Sequence, residues 1–120
     1  MSAQASIQAF CSSMGLPPQP PPLTLRFERS GDLHMECRDG SVVMYLTRAM
    51  PLHRKGIAAA ALKAVHPDRT LPHIVNVAFY GKALLVLLIS MAENRADLPT
   101  LETAAQVLVR LVDEIDAAAR

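Results

Sequence analysis

The chain has 120 residues, of which 51% are hydrophobic, 19% are charged and 4% are aromatic, and its formal net charge is +1. This length suits one domain and leaves no room for two ordinary ones. The near-neutral charge, with Lys and Arg scattered along the chain, argues against a nucleic-acid partner. The apolar residues exceed what the core of so small a protein can bury, which favours a subunit interface or a binding groove.

The cysteines and the N-terminus are typical of a cytosolic protein. Cys11 and Cys37 have no CxxC spacing and fall in a predicted helix and a predicted strand, so we expect buried, reduced thiols. No basic region followed by an apolar stretch opens the chain, so no signal peptide is expected. The longest apolar run, Ala83 to Ile89, is too short to span a bilayer, and no membrane partner is expected.

The first predicted element is a helix over residues 2–14. Its apolar face carries Ile7, Phe10, Cys11 and Met14 at helical spacing. Gly15 is a typical stop signal. The proline-rich run at residues 17–22 cannot be helical, because proline lacks the backbone donor and restricts the residue before it. We expect a stiff, extended connector there rather than a ligand for an SH3-like partner.

Three strands are predicted next, as an antiparallel meander. Residues 23–28 and 33–38 alternate apolar and polar side chains, which is the period of a half-buried strand. Ser30-Gly31-Asp32 is predicted to be a turn, and Asp39-Gly40 is a strong hairpin signal. The third strand, residues 42–50, is apolar on both faces: Val42, Met44 and Leu46 on one, Val43 and Tyr45 on the other. Two apolar faces on one strand suggest that one of them meets a partner.

The second half of the chain begins with an alanine-rich stretch at residues 53–65, which favours a helix with a face of small residues. Residues 74–80 and 83–91 indicate two strands joined at Gly81-Lys82. The second of them is apolar on both faces, which predicts a central position in the sheet.

The last predicted helix has an apolar stripe from Leu101 to Ile115, with Thr100 as the expected N-cap. The predicted fold class is therefore α+β, in the order helix, three-stranded meander, helix, β-hairpin, helix. A twisted antiparallel sheet packed with helices would form a single domain over residues 1–120.

The sequence lacks the common patterns of catalysis and of metal or phosphate binding. His34 and Cys37 lie three apart on one predicted strand, so they point to opposite faces, and the other histidines fall in loops or at element ends. Nothing resembles a GxSxG motif or a glycine-rich phosphate loop. We therefore expect no catalytic residue, no metal, no cofactor and no enzymatic activity, although a small enzyme without a visible motif stays an alternative.

His66-Pro67-Asp68 matches the tripeptide that marks J-domain co-chaperones. In that family a helix flanks the tripeptide on each side, whereas Leu71-Pro72 and a β-like run follow here. The tripeptide is therefore interpreted as a turn that ends a helix, and a J-domain-like co-chaperone stays a minor alternative.

The order of elements resembles the class I chaperones of bacterial type III secretion systems over nearly the whole chain. The resemblance rests on the first helix with Phe10 leading to Gly15-Leu16-Pro17, on the meander at Leu23–Met50, and on the central helix, hairpin and last helix. It implies a cytoplasmic, ATP-independent bacterial chaperone that binds an extended N-terminal segment of a secreted effector and keeps it secretion-competent. It also implies a homodimer, with a heterodimer left open.

The resemblance assigns two groups of residues. Effector contact would fall on Ile7, Phe10, Leu16, Leu25, Phe27, Val43 and Tyr45. The dimer interface would use Ile57, Ala60, Ala61, Ala64, Val75, Val77 and Phe79. For each of them the alternative is ordinary burial in the core. A dimeric adaptor or secretion regulator of the same fold, binding a folded protein partner, is the main alternative function.

Overall fold

Helices and strands follow one another in the predicted order. The computed structural model describes residues 3–17, 21–27, 31–50, 56–66, 71–81 and 83–118. Its elements are α1 (Ala3–Ser13), β1 (Leu23–Phe27), β2 (Gly31–Arg38), β3 (Ser41–Ala49), α2 (Ile57–Ala64), β4 (Asn76–Tyr80), β5 (Leu84–Ala92) and α3 (Leu98–Ala118), with a 3-10 turn at Glu93–Arg95. The α+β prediction is confirmed.

The strands form one antiparallel sheet in the order β1-β2-β3-β5-β4. β1, β2 and β3 are consecutive neighbours, which confirms the predicted meander. β5 pairs with β3 on one side and β4 on the other, so the strand that is apolar on both faces is central, as predicted. β1 and β4 lie at the two edges of the sheet.

The helices pack on one face of the sheet, here called the helix-covered face. α3 contacts β3 and β5, while α1 and α2 pack against α3. Alternate strand residues point into this core; in β3 these are Val42, Met44 and Leu46, all buried. The residues between them, such as Val43 and Tyr45, point to the opposite face, here called the open face. No helix of the described part of the chain covers it.

α1 ends at Ser13, and Gly15 supplies the predicted stop signal just after it. Gly15 has φ +76°, and the amide of Leu16 donates to the carbonyl of Cys11 at 3.0 Å, which closes the helix in a Schellman motif. The residues of the predicted apolar face that are buried are Ile7, Phe10 and Cys11. Met14 is exposed, because it lies past the last helical turn, so its prediction as part of that face was wrong.

The β2–β3 hairpin turns through Asp39-Gly40, with φ values of +51° and +77° that fit the predicted two-residue loop. Gly31 was predicted in a turn but begins β2, paired with Phe27 of β1. Its φ is +116°, and a Cβ there would collide with the carbonyl oxygen of Thr47 on β3. Only glycine fits where these three strands meet.

α3 begins before its predicted start, and Asp97 is its N-cap. The Oδ1 atom of Asp97 accepts a hydrogen bond from the amide of Thr100 at 2.9 Å, and Pro99 occupies the first turn, where a missing N–H costs nothing. The hydroxyl and the amide of Thr100 hold the pKa of Asp97 below its ordinary range. The prediction of Thr100 as the N-cap was therefore wrong.

Arg48 crosses from the sheet to α3 on the helix-covered face. Its Nη1 atom lies 3.2 Å from Asp113 Oδ1 and its Nη2 atom lies 3.2 Å from Asp116 Oδ2. The two aspartates are one helical turn apart, so the guanidinium fork contacts both at once. This contact ties β3 to the end of α3.

Some predictions fall on residues outside the described ranges. These are residue 2 of the first helix, residues 18–20 of the proline run, residue 28 of the first strand, Ser30 of the predicted turn, residues 53–55 of the alanine-rich helix, Pro67 and Asp68 of the tripeptide, and Lys82. α2 itself ends at Ala64, two residues before His66.

Candidate functional site

The open face has a polar half on β1 and β2, whose charges neutralise one another. Arg26 Nε lies 3.5 Å from Asp32 Oδ1, and Arg38 Nη2 lies 2.8 Å from Glu36 Oε2. Both pairs are at the surface, where each stabilises the fold by about 0–1 kcal/mol. Their larger effect is to leave this half of the face with no net charge.

His34 links the three strands of the meander across this polar half. Its Nδ1 atom is 2.9 Å from the hydroxyl of Thr24 on β1, and its Nε2 atom is 3.0 Å from the hydroxyl of Thr47 on β3. The imidazole also stacks on the ring of Tyr45, with centroids 4.6 Å apart and planes 19° apart. Both ring nitrogens are thus hydrogen-bonded, and the stack holds the Tyr45 ring in place.

Tyr45 marks the boundary between the polar half and the apolar half. Its hydroxyl donates a hydrogen bond to Glu36 Oε1 at 3.1 Å. Burial raises the pKa of Tyr45, and the hydrogen bond and negative charge of Glu36 raise it further. The phenol therefore stays protonated and keeps this donor role, while Tyr45 also lines the apolar side of the face.

The apolar half of the open face contains a shallow basin of about 300 Å³. Its apolar lining, here called the apolar basin, consists of Val43 and Tyr45 on β3 and Val86 and Leu88 on β5; Glu36 and Arg38 complete the lining. The ladder places Tyr45 beside Leu88, and the apolar surface continues through Leu84 to Tyr80 on the edge strand.

A second set of exposed apolar side chains, here called the α2–β4 edge, lies on α2, on β4 and just before β4. Its exposed side chains are Leu62 (59% exposed), Ile74 (85%), Phe79 (39%) and Tyr80 (75%). They are four of the six large apolar side chains that are more than a third exposed in the described part of the chain; the other two, Met14 and Leu16, follow α1. Exposed large apolar side chains of this kind are typical of protein-binding surfaces.

The predicted effector-contact residues lie on both faces of the sheet. Ile7, Phe10 and Leu25 are buried in the core of the helix-covered face, and Phe27 is half-buried. Leu16 is exposed after α1, and Val43 and Tyr45 meet on the open face. The structure therefore brings only the last two together at one surface, and effector contact stays a prediction for all seven.

Most of the predicted dimer-interface residues are covered by the chain itself. Those buried in its own core are Ile57, Ala61, Ala64 and Val75; Ala60 and Val77 are half-buried, and Phe79 is exposed. Their role in dimerisation stays a prediction. The exposed neighbours Leu62, Ile74 and Tyr80, and the basin residues Val86 and Leu88, were not singled out from the sequence. The available signal was alternation, which places Tyr80 opposite Phe79.

Among the described residues, the side chains that could bind a metal ion do not lie close together. The described residues contain no group of three or more His, Cys, Asp or Glu side chains that could hold an ion. Cys11 and Cys37 are free thiols, and burial, with a smaller contribution from the charge of Glu93, raises the pKa of Cys37. None of the described helices is both long enough and apolar enough to cross a membrane.

Comparison with known proteins decides between the classes of protein that this architecture allows. A family model described as the type III secretory system chaperone SycN matches residues 3–116. The chain belongs to the SycN family. The chaperone protein SycN of Yersinia enterocolitica is 31% identical over 115 residues, which cover 91% of this chain and 92% of that protein.

Solved structures of related fold agree with this family. One chain of the ExoU–SpcU complex from the type III secretion system of Pseudomonas aeruginosa is 21% identical, with a TM-score of 0.65 over 90% of this chain and 96% of that one. A chain of the HopA1–SchA chaperone–effector complex is 14% identical, with a TM-score of 0.64 over 92% and 89%.

The predicted resemblance to type III secretion chaperones is thus confirmed, and so is the fold expected from it. The chain is a type III secretion chaperone, a member of a protein-binding family rather than an enzyme family.

Proposed function

We propose that this chaperone binds an extended N-terminal segment of a cognate secreted effector in the bacterial cytoplasm, without ATP, and keeps the segment competent for export. The observation that carries the proposal is the apolar basin, which the chain's own described helices leave uncovered. Membership in a chaperone family supports it, as does the fold shared with a chain of a chaperone–effector complex.

The surface can hold a segment that has no fold of its own in two ways. Apolar side chains of the segment can enter the apolar basin, and its backbone can hydrogen-bond to an exposed strand edge such as β1. We assign direct contact to the predicted residues that reach the surface, namely Leu16, Phe27, Val43 and Tyr45. Ile7, Phe10 and Leu25 would support them from the core.

The chaperone would act as a homodimer joined at the α2–β4 edge. Ile74 and Tyr80 are the most exposed large apolar side chains of the described residues, and covering them removes apolar area from water at about 25 cal/mol per Å². Ala60, Val77 and Phe79 lie on the same part of the chain and would extend the contact. The buried members of the predicted interface, Ile57, Ala61, Ala64 and Val75, would hold α2 and β4 in position.

Limited proteolysis of a purified complex tests this function. The chain is co-expressed with the secreted protein encoded beside it, the complex is treated with trypsin, and the fragments that stay bound are identified by mass spectrometry. We expect one protected fragment from the effector N-terminus, and the same result after ATP is removed with apyrase.

An effector that lacks this N-terminal segment is the matched control, and we expect it not to co-purify. Protection of a folded domain instead would favour the adaptor or regulator of the same fold. The absence of any protected fragment would contradict the chaperone mechanism proposed for this chain.

A further inference from the structure

We infer that His34 is a positioning residue of the effector site, which rests on the proposed function and adds to that site a residue outside the predicted contact set. Its imidazole would hold the Tyr45 ring in the orientation in which that ring contacts the effector segment. His34 would not bind the effector itself, and its effect on binding would pass through Tyr45.

The hydroxyl groups on either side of His34 fix its ring. The Thr47 hydroxyl has one hydrogen, which it donates to the backbone carbonyl of Asp32 at 3.5 Å. The same oxygen therefore accepts from His34 Nε2–H at 3.0 Å, and Nδ1, which carries no hydrogen in the neutral ring, accepts from the Thr24 hydroxyl at 2.9 Å. The hydrogen bonds thus run in one direction across β1, β2 and β3, and they set both the tautomer and the plane of the ring.

The orientation of the imidazole restrains Tyr45 through stacking. The two ring centroids are 4.6 Å apart and the ring planes 19° apart, which is a favourable stacked arrangement. The Tyr45 hydroxyl is held separately, because it donates to Glu36 Oε1 at 3.1 Å, and Glu36 Oε2 accepts from Arg38 at 2.8 Å. The Tyr45 side chain is therefore restrained both at the face of its ring and at its hydroxyl.

This restraint matters for binding because a contact residue that is already ordered loses less conformational entropy when the effector segment arrives. Tyr45 pairs with Leu88 in the ladder and lines the apolar basin. If Tyr45 could change rotamer freely, the effector would have to order it, and the affinity would fall. His34 lies opposite Tyr45 on β2, where its ring prevents this.

The surroundings of His34 support an indirect role. Both of its ring nitrogens are hydrogen-bonded within the chain, and one face of its ring is covered by Tyr45. The polar atoms of this side chain are therefore occupied before any effector arrives. What remains for His34 to supply is the support of the neighbouring ring.

A double-mutant cycle on the full chain tests the inference. The probe is the N-terminal effector fragment that trypsin leaves bound, labelled with a fluorophore, and its affinity is measured by fluorescence anisotropy. We expect His34→Ala to weaken binding about three- to tenfold, and Tyr45→Ala to weaken it at least as much. In the Tyr45→Ala background, His34→Ala should cause no further loss, because the residue through which it acts is gone.

Further variants separate positioning from general stability. His34→Phe keeps a ring beside Tyr45 and should recover part of the affinity that His34→Ala loses. Asp97→Ala removes the cap of α3, which packs on the helix-covered face, and should leave the affinity unchanged although it lowers the melting temperature. If His34→Ala does not fold, the double variant Thr24→Val and Thr47→Val, which keeps the imidazole but removes both of its anchors, takes its place in the cycle.

The free chain gives a second readout. Nitrogen NMR of the imidazoles, assigned by comparison with His34→Phe, should show His34 as the Nε2–H tautomer. In a Tyr80→Phe background, Tyr45 is the one tyrosine of a chain without tryptophan, and its near-ultraviolet circular dichroism should weaken in His34→Ala. A role of His34 in stability alone would leave the Tyr45 signal of the folded variant unchanged.

The inference would be overturned by additive losses of affinity in the cycle, by wild-type affinity of the folded variant, or by an unchanged Tyr45 signal. An Nδ1–H tautomer would also overturn it, since the hydrogen bonds would then not run as described. If any of these occurs while the wild-type chain binds the fragment, the proposed function stands and only the role of His34 is wrong. If the wild-type chain protects no fragment from trypsin, the proposed function fails and this inference fails with it.

Discussion

Arg48 joins the two layers of the fold through a single side chain. It rises from β3 among apolar neighbours of the helix-covered face and reaches Asp113 and Asp116 on α3. Because Asp116 is buried, the guanidinium interacts with its carboxylate where water screens the charges weakly. A contact of this kind stabilises the fold more than the surface pairs on the other side of the sheet.

Replacing Arg48 by methionine should therefore lower the free energy of unfolding by about 1–3 kcal/mol, since a charge-assisted contact to a buried carboxylate is lost. Urea denaturation followed by circular dichroism measures this change in the free energy of unfolding. Arg38→Gln is the matched control, because its pair with Glu36 is exposed on the arginine side, and it should change stability by less than about 1 kcal/mol. Equal effects of the two substitutions would contradict the structural role of Arg48.

Gly31 allows β1, β2 and β3 to lie close together at one point, because it has no side chain. Gly31→Ala should cost about 2–5 kcal/mol, because its Cβ would collide with the backbone of Thr47 at a positive φ. Gly15→Ala adds a Cβ into open space at a positive φ, and should cost only about 1–2 kcal/mol. Denaturant midpoints of the two variants compare them directly. A Gly31→Ala variant as stable as Gly15→Ala would mean that β1–β3 do not meet as described.

Among the elements, α3 depends on its cap at Asp97. Hydrogen bonds from Thr100 lower the pKa of this carboxyl in the folded chain relative to about 3.9 in the unfolded chain. The sign follows from linkage: a depressed folded pKa stabilises the fold above the unfolded pKa. This stabilisation is lost as the pH falls through the folded pKa.

Asp97→Ala should thus lower the melting temperature at neutral pH, and its difference from the wild type should shrink as the pH falls below about 4. Asp97→Asn, which can still cap the helix, should lose less at neutral pH. Thermal melts over a pH series give the comparison. A difference between wild type and Asp97→Ala that is constant with pH would exclude the charged cap.

The elements themselves could be predicted because their signals are local. The alternation of apolar and polar side chains in residues 23–50 predicted which residues lie on each face of the meander. Gly15 predicted the end of α1, and Asp39-Gly40 predicted the turn of the hairpin. The start of α3 could not be predicted from neighbouring residues alone, because Asp97 and Thr100 are both common N-cap residues. The hydrogen bond from the Thr100 amide to Asp97 identifies Asp97 as the N-cap.

The surfaces were harder to predict than the elements, because exposure depends on how elements pack. The alanine-rich face of α2 suggested close approach of another element, and Ala61 and Ala64 are buried within the chain itself. Ile74 precedes β4, so the alternation of side chains along that strand does not apply to it. It is the most exposed large apolar residue of the described chain. Sequence periodicity reports which side chains share a face, but not what covers that face.

At the scale of the whole molecule, the two apolar surfaces lie at different places on the sheet and meet at Tyr80. The α2–β4 edge lies at the β4 margin, and the apolar basin lies on the open face of β3 and β5. Their different positions would let one surface join two chains while the other remains available to an effector. Substitutions at the two places should therefore have different consequences.

For the dimer, light scattering after size exclusion should give twice the chain mass of 13.0 kDa, and Ile74→Glu should return it to one chain mass. A charge at this exposed position disfavours the contact but leaves the fold intact, with a melting temperature within about 4 °C of wild type. Met14→Glu, exposed after α1, is the control and should stay dimeric. A wild-type chain of single mass, or a dimeric Ile74→Glu, would exclude self-association at the α2–β4 edge.

Hydrogen exchange of the chaperone with and without the N-terminal segment of its effector tests most directly whether the two surfaces have separate roles. We expect slower exchange in residues 3–17 and 21–50, which carry α1 and the meander, because the segment covers their surface and stabilises them. Exchange at α2 and β4 should stay at its dimer value. Protection confined to α2 and β4, or none at all, would contradict the assignment of the meander to the effector.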